Sequence, residues 1–201
     1  FPLQYFFDVR EAIKRIRLEN THLEESELFD LRRSLQTIND IVRYLNRAED
    51  KGEDVDPAPL YPALYRLTQD VATYPQLVQG IDQILDKFGH IRDNASPELL
   101  NIRRELARAE SSASKTLYSI LRSAQSEGLV DKDVTPTLRD GRLVIPVMPG
   151  MKRKISGIVH DESATGKTVF IEPSEVVEAN NRIRELESEE RHEIIRILTT
   201  F

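Results

Sequence analysis

The stretch SPELLNIRRELARAESSASKTLYSILRSAQSEG, residues 96–128, decides how the rest of the chain is read. Ser96 in the N-cap place, Pro97 at the first helical position and Glu98 in the first turn mark a helix start. Proline loses nothing where the N–H has no helical partner, and an acid complements the positive helix end. Leu99, Ile102, Leu106, Ala109, Ala113, Leu117, Ile120 and Ala124 then recur at steps of three and four, close to a heptad seam, until Glu127–Gly128. At ~1.5 Å per residue this is a rod of about 45 Å, long for a globular helix. A second long helix opens at Ser174–Glu175, with Val176, Ala179, Ile183, Leu186, Ile194, Ile197 and Phe201 as its apolar positions. The two rods are expected to run antiparallel and to pack through their seams. Glu187–Glu193 is polar all round, which predicts thin burial there, and Glu185–Glu189 and Glu189–Glu193 repel at i, i+4.

Between the rods the pattern turns to β. RLVIPVM (142–148), KISGIVH (154–160) and TVFI (168–171) read as strands, with Pro146 placing the first at an edge or a bulge. Pro149–Gly150 is a turn, and DESATGK (161–167) is a polar hairpin turn with Gly166 at positive φ. Upstream the chain is helical. Val9, Ile13 and Ile16 form a first stripe, and Glu24–Ala48 carries Leu28, Leu31, Leu35, Ile38, Ile41, Val42 and Leu45 on one face. A loop follows at Asp50–Asp54 with Pro57, Pro59 and Pro62, then two short helices over Leu60–Ala72 and Pro75–Leu85, and a connector from Phe88 to Asn94. The expected fold is mostly α with a small antiparallel β module. A helical domain spans residues 1–95, an outgoing helix 96–128, a β-rich module 129–173 and a returning helix 174–201.

The 201 residues, 39% apolar and 31% charged, suit a soluble, helix-rich protein of one or two domains. No run approaches eighteen consecutive apolar residues, so no membrane span is expected. Both ends read as interior positions of a longer protein: the chain starts without Met and stops in a helical rhythm. The absence of cysteine removes disulfides, thiolate nucleophiles and zinc-thiolate sites, and fits a reducing cytoplasm. His22, His90, His160 and His192 lie far apart and none has a second ligand at metal spacing, so no metal site is expected.

The net charge is −6, yet between Leu138 and Pro173 six basic residues face four acids. Lys152, Arg153, Lys154 and Lys167, with Arg139 and Arg142 as second choices, are the candidate phosphate contacts. Arg103, Arg104 and Arg108 read as surface charges partly paired with Glu105 and Glu110. Thr165–Gly166–Lys167–Thr168 is no phosphate loop: Asp161 occupies the place of the required first glycine, and the segment joins two strands rather than a strand to a helix. His160, Asp161 and Ser163 are close in sequence, but neighbours on a strand end point in alternating directions and do not converge as a triad must. No catalytic residue and no cofactor site is expected.

GIVHDESATGKTVFIEPSEVVEANNRIRELESEERHEIIRIL (157–198), NASPELLNIRREL (94–106) and LRDGRLVIPV (138–147) resemble, in the same order, the second bacterial branch of the MutS family, MutS-two. DVREAIKRI followed by LEESELFDLRRSL fits the same resemblance, which therefore covers nearly the whole chain. The resemblance implies a cytoplasmic homodimer with a helical core, long lever helices, a clamp that embraces nucleic acid and an ABC-type ATPase. It also implies a C-terminal nuclease module in many members, and roles in repair, in suppressing recombination on branched DNA or in splitting collided ribosomes. By analogy, residues 1–95 are core, 96–128 and 174–201 the levers and 129–173 the clamp. ATP, Mg and the nuclease belong to parts outside this sequence. The expected partner is DNA, with ribosomal RNA or the ribosome beside it. The alternative is a docking scaffold for a protein or a ribosome that does not bind duplex DNA.

Overall fold

A computed structural model describes residues 4–47 and 59–201. The elements are α1 (Arg10–Arg15), α2 (Glu25–Leu45), α3 (Pro62–Thr68), α4 (Pro75–Ile84), α5 (Pro97–Ser126), β1 (Thr137–Arg139), β2 (Arg142–Val147), β3 (Gly157–Glu162), β4 (Val169–Pro173) and α6 (Ser174–Thr200). A 3-10 turn, Pro149–Lys154, joins β2 to β3. The mostly helical chain with a small antiparallel sheet agrees with the sequence expectation. The loop expected at Asp50–Asp54 and Pro57 lies outside the described residues. The chain divides into two compact units, one of residues Phe1–Ser96 with Ile194–Phe201, the other of Pro97–Glu193.

In the first unit α2 begins in a capping box. The Glu24 carboxylate accepts from the N–H of Glu27, while the Glu27 carboxylate accepts from the N–H of Glu24 at 2.9 Å. Two donors that a helix start leaves open are thereby satisfied. The core holds Leu23, Leu28, Val78, Ile81, Leu85 and Ile91. Arg32 ties α2 to α4 with two bonds to Asp82, of 2.8 and 2.9 Å. Of the apolar positions expected on α2 only Leu28 is buried; Leu31, Leu35, Ile38, Ile41, Val42 and Leu45 are half-buried. The other buried positions on α2 are polar, because each holds backbone. Ser34 Oγ accepts from the Phe7 N–H (3.2 Å), Thr37 Oγ1 donates to the Gln4 carbonyl (2.9 Å), and Asn39 Oδ1 accepts from the Tyr74 N–H (3.3 Å).

In the second unit the sheet is antiparallel throughout, in the order β1-β2-β4-β3. β1 is absent from the sequence reading. Its hairpin closes on Asp140–Gly141, both at positive φ (50° and 72°), between the paired Arg139 and Arg142. Pro146 lies in an inner strand rather than at a sheet edge. In a two-residue hairpin the backbone polar groups of Arg142, and by alternation those of Val144 and Pro146, face β1. β1 pairs only as far as Val144, so the place of the missing Pro146 N–H is open. Ile145, Val147, Val169 and Ile171 form one sheet face, which packs with Leu117, Leu121, Ala124, Leu129, Val130 and Val176. Each Val, Leu or Ile side chain among them contributes roughly 1.5–3 kcal/mol on burial.

α5 and α6 are bridged by Arg103–Glu190 (2.7 Å) and Arg182–Glu105 (2.9 Å). Arg103 thus pairs across to α6. Arg182 also reaches Glu185 (3.3 Å) and Glu189 (3.1 Å), which offsets the repulsion along that face. Over Glu187–Glu193 burial is thin, as expected, except at its end: Glu189, Arg191 and His192 are exposed, Glu187, Ser188 and Glu190 half-buried, and Glu193 is buried.

At the sheet end of α6 sits Glu172, with no exposure to solvent. Arg142 donates to it from Nε (2.8 Å) and Nη2 (2.6 Å), Asn180 Nδ2 donates at 2.7 Å, and His160 Nε2 makes a third side-chain contact. Arg142 Nη2 also reaches Asn181 Oδ1 at 2.9 Å. His160 arrives there through a β-bulge. Val159 pairs with Ile171 and Asp161 with Phe170, leaving His160 as the extra residue whose side chain turns inward. Gly157 allows the close pairing beside it, since a Cβ there would stand 2.1 Å from the Glu172 carbonyl oxygen. Burial alone pushes the Glu172 pKa up, but hydrogen bonds from Arg142, Asn180 and His160 and the Arg142 charge outweigh it and hold the carboxyl below its ordinary value.

Glu172→Gln leaves Arg142 buried without its counter-charge and is expected to lower stability by about 3–5 kcal/mol, read as a lower urea midpoint. Gly157→Ala is expected to lower it as well, since backbone must move. A carboxyl with a depressed folded pKa stabilises fully above its unfolded value, ~4.3, and loses that contribution as pH falls through the folded one. The stability difference between wild type and Glu172→Gln should therefore shrink as pH falls below about 4.3.

Candidate nucleic-acid interface

The six basic residues singled out in the sequence fall into three groups. Arg142 is taken up by Glu172 and Asn181 and its side chain is 12% exposed, so it is a structural cation and not an open phosphate contact. Arg139 lies with its guanidinium carbon 4.0 Å from the centre of the Phe170 ring, and its Nε is 3.8 Å from Asp161. Half of that side chain stays open, but stacking and the nearby acid fix its direction. Lys152, Arg153, Lys154 and Lys167 are exposed, and none of them makes an ion pair with a described residue.

Local structure explains these placements. Lys152–Lys154 end the 3-10 turn, which Met151 and Ile155 pin to the apolar core by packing against it. A 3-10 turn has three residues per turn, so three successive side chains diverge by roughly 120°. The cations therefore fan around the turn rather than converging on one point. Lys167 sits in the β3–β4 loop. Ser163 Oγ accepts from the Thr168 N–H at 3.1 Å, and the Gly166 N–H donates to the Ser163 carbonyl at 2.7 Å. Gly166 has φ +65°, the left-handed geometry expected of it. Val169 pairs with both Val147 and Glu162, so this loop and the start of the 3-10 turn lie at the same end of the sheet.

His160, Asp161 and Ser163 do not converge: His160 faces Glu172, Asp161 lies near Arg139, and Ser163 closes the hairpin. Thr165–Lys167 leads into a strand, not a helix, as the sequence indicated. The Glu172 cluster has the charged, buried make-up of an active centre, yet its carboxylate oxygens are occupied by protein donors. Sequence reasoning counted Glu172 only as an acid offsetting the basic set. The signal available was an acid within an apolar strand, since a buried carboxylate requires donors nearby.

No family model matches the chain. It is 34% identical over 198 residues to the protein named endonuclease MutS2 of Geobacillus sp. (strain WCH70), covering 98% of this chain and 24% of that protein. The endonuclease MutS2 of Enterococcus faecalis is 34% identical over 197 residues, with the same coverage. That of Pelotomaculum thermopropionicum is 41% identical over 138 residues, 69% of this chain and 18% of the relative. The chain thus spans about a quarter of the length of the first two of these relatives. Over nearly its whole length it is a homologue of a segment of the endonuclease MutS2 proteins.

Proposed function

We propose that the chain is the non-catalytic core, lever and clamp region of a MutS2-type protein, and that its β module grips nucleic acid through sequence-independent contacts to phosphates. The observation that carries this reading is the set Lys152, Arg153, Lys154 and Lys167, exposed and without an ion pair to any described residue in a chain of net charge −6. Lysines on a turn and a hairpin loop suit phosphates, which need charge and reach, rather than base edges, which need fixed forks. α5 and α6, bridged by Arg103–Glu190 and Arg182–Glu105, are the levers. ATP hydrolysis and the nuclease activity in the relatives' name reside, in this proposal, in other parts of a cytoplasmic homodimer. Branched or duplex DNA, in recombination suppression or repair, is the proposed target.

A second reading, docking on a protein or a ribosome, draws on the first unit. Leu60, Tyr61, Leu64, Leu67, Val71, Tyr74 and Leu77 are all exposed there. Exposed apolar residues gathered along one segment of chain mark contact surfaces.

The test is fluorescence anisotropy with labelled duplex, four-way-junction and single-stranded DNA and with structured RNA, between about 50 and 200 mM salt. Each phosphate contact contributes about 0.9 to the slope of log K against log salt on duplex DNA. Replacing Lys152, Arg153, Lys154 and Lys167 together by Gln is expected to make that slope shallower by about 3–4. Wild-type affinity and slope in the quadruple variant would remove the β module from the interface, and absence of binding by wild type at the lowest salt would favour docking on protein.

A further inference from the structure

α5 carries a second stripe, on the side away from its apolar seam. Arg104, Arg108, Ser111, Lys115, Tyr118 and Arg122 follow one another at steps of four and three, and all are exposed. At 3.6 residues per turn they occupy one narrow arc, opposite Ile102, Leu106, Ala113, Leu117 and Ala124. The acids of α5, Glu98, Glu105 and Glu110, lie about 100° or more away from the centre of that arc. Glu105 is bonded to Arg182. The four cations make no ion pair with a described residue, contrary to the partial pairing expected for Arg104 and Arg108. Between them the side chains are small. Ala107, Ser111, Ser112 and Ser119 leave shallow hollows flanked by Arg108, Lys115, Tyr118 and Arg122. From Arg104 to Arg122 the stripe runs about 27 Å.

We propose that this outer face of α5 is a second docking surface, built for the phosphate backbone of duplex DNA. It shares the nucleic-acid reading above but none of its residues. A polyanion is the occupant because the arc holds four positive charges and no negative one in an acidic chain. A duplex fits better than a single strand: the cations lie on a straight rod, and Tyr118 is the one aromatic among them, where a single strand needs successive stacking platforms. Serines supply hydroxyl donors to phosphate oxygens, and their small size lets a backbone approach the helix closely. The stripe is on the same unit as Lys152–Lys154 and Lys167, since the C-terminal half of α5 packs on the sheet through Leu117, Leu121 and Ala124. Both surfaces are therefore parts of one body.

The experiment compares wild type, the β-module variant described above and an α5 variant with Arg104, Arg108, Lys115 and Arg122 changed to Gln. Each is titrated with labelled duplex DNA from about 50 to 200 mM salt, after a melt confirms an unchanged fold. In parallel, amine labelling of Lys115 and Lys87 is followed by mass spectrometry with and without saturating duplex. The expected result is a slope shallower by about 3–4 in the α5 variant, with labelling of Lys115 slowed severalfold and that of Lys87 unchanged. A wild-type slope in the α5 variant, with Lys115 labelled at the same rate on DNA, overturns the inference. The β-module reading then stands if its own variant still loses slope. The reverse pattern, loss in the α5 variant alone, upholds α5 and removes the β module. Wild-type protein that binds no duplex at the lowest salt overturns both.

Discussion

A carboxylate without solvent contact is the constraint around which the second unit is arranged. Removing a charged group from water costs several kcal/mol even after relaxation, so Glu172 is tolerable only with its oxygens fully met. Meeting them fixes four segments at once. β2 must bring Arg142, β3 must bulge to turn His160 inward, α6 must start where Asn180 reaches back, and β4 must hold Glu172 among them. Gly157 follows from the same demand, because strand and bulge approach more closely than a side chain permits. His160 and Glu172, with Arg142, Asn180 and Asn181, thus form a joint between sheet and helix. Their charge and polarity serve architecture, and chemistry is not required to explain them.

The same demand sorts the cations of the unit. Arg103, Arg142 and Arg182 work as forks between elements, each bound to at least one carboxylate. A guanidinium presents several donors in a rigid plane, which suits it to hold two elements in one geometry. Lys152, Lys154, Lys167 and Lys115, each a flexible point charge, are left outside, together with Arg104, Arg108, Arg122 and Arg153. Arg139 stands between the groups, stacked on Phe170 with an acid at the limit of ion-pair range.

Legibility in the sequence followed whether a signal was local. α5 was readable to within a residue because Ser96, Pro97 and the heptad seam all lie within it. The start of α6 at Ser174 is legible for the same reason, whereas β3 runs Gly157–Glu162 rather than 154–160 and takes in Asp161 and Glu162, read from the sequence as turn. β1 was missed, although Asp140–Gly141 is a hairpin turn signal, because three residues give no alternation to detect. Pro146 was assigned to an edge on a sound rule. Its actual tolerance depends on where β1 stops, which no local pattern records. α2 misled in the opposite way, since its buried Ser34, Thr37 and Asn39 serve backbone from distant segments. The candidate site was legible as a composition, six cations in an acidic chain. Its division into buried and open members was not, because Arg142 meets Glu172 across thirty positions.

The open cations carry an argument that net charge conceals. With 34 acids against 28 basic residues, a cation placed at random on this chain has more acids than cations as neighbours. Arg182 shows the other outcome, with three carboxylates gathered on one guanidinium. Eight cations that make no ion pair with a described residue share one helix face and one end of the sheet, a local segregation of charge. Segregation brings like charges together, but the cost is small where they are exposed. Along α5 they are spaced by about 6–10 Å, comparable with the screening length of about 8 Å at physiological salt. A duplex, with one charge per ~1.7 Å, replaces that screening with fixed phosphates and releases condensed counterions. Affinity of this origin needs no base contact and little change of shape. It also falls steeply with distance and salt, so a small displacement of either surface is enough to let go.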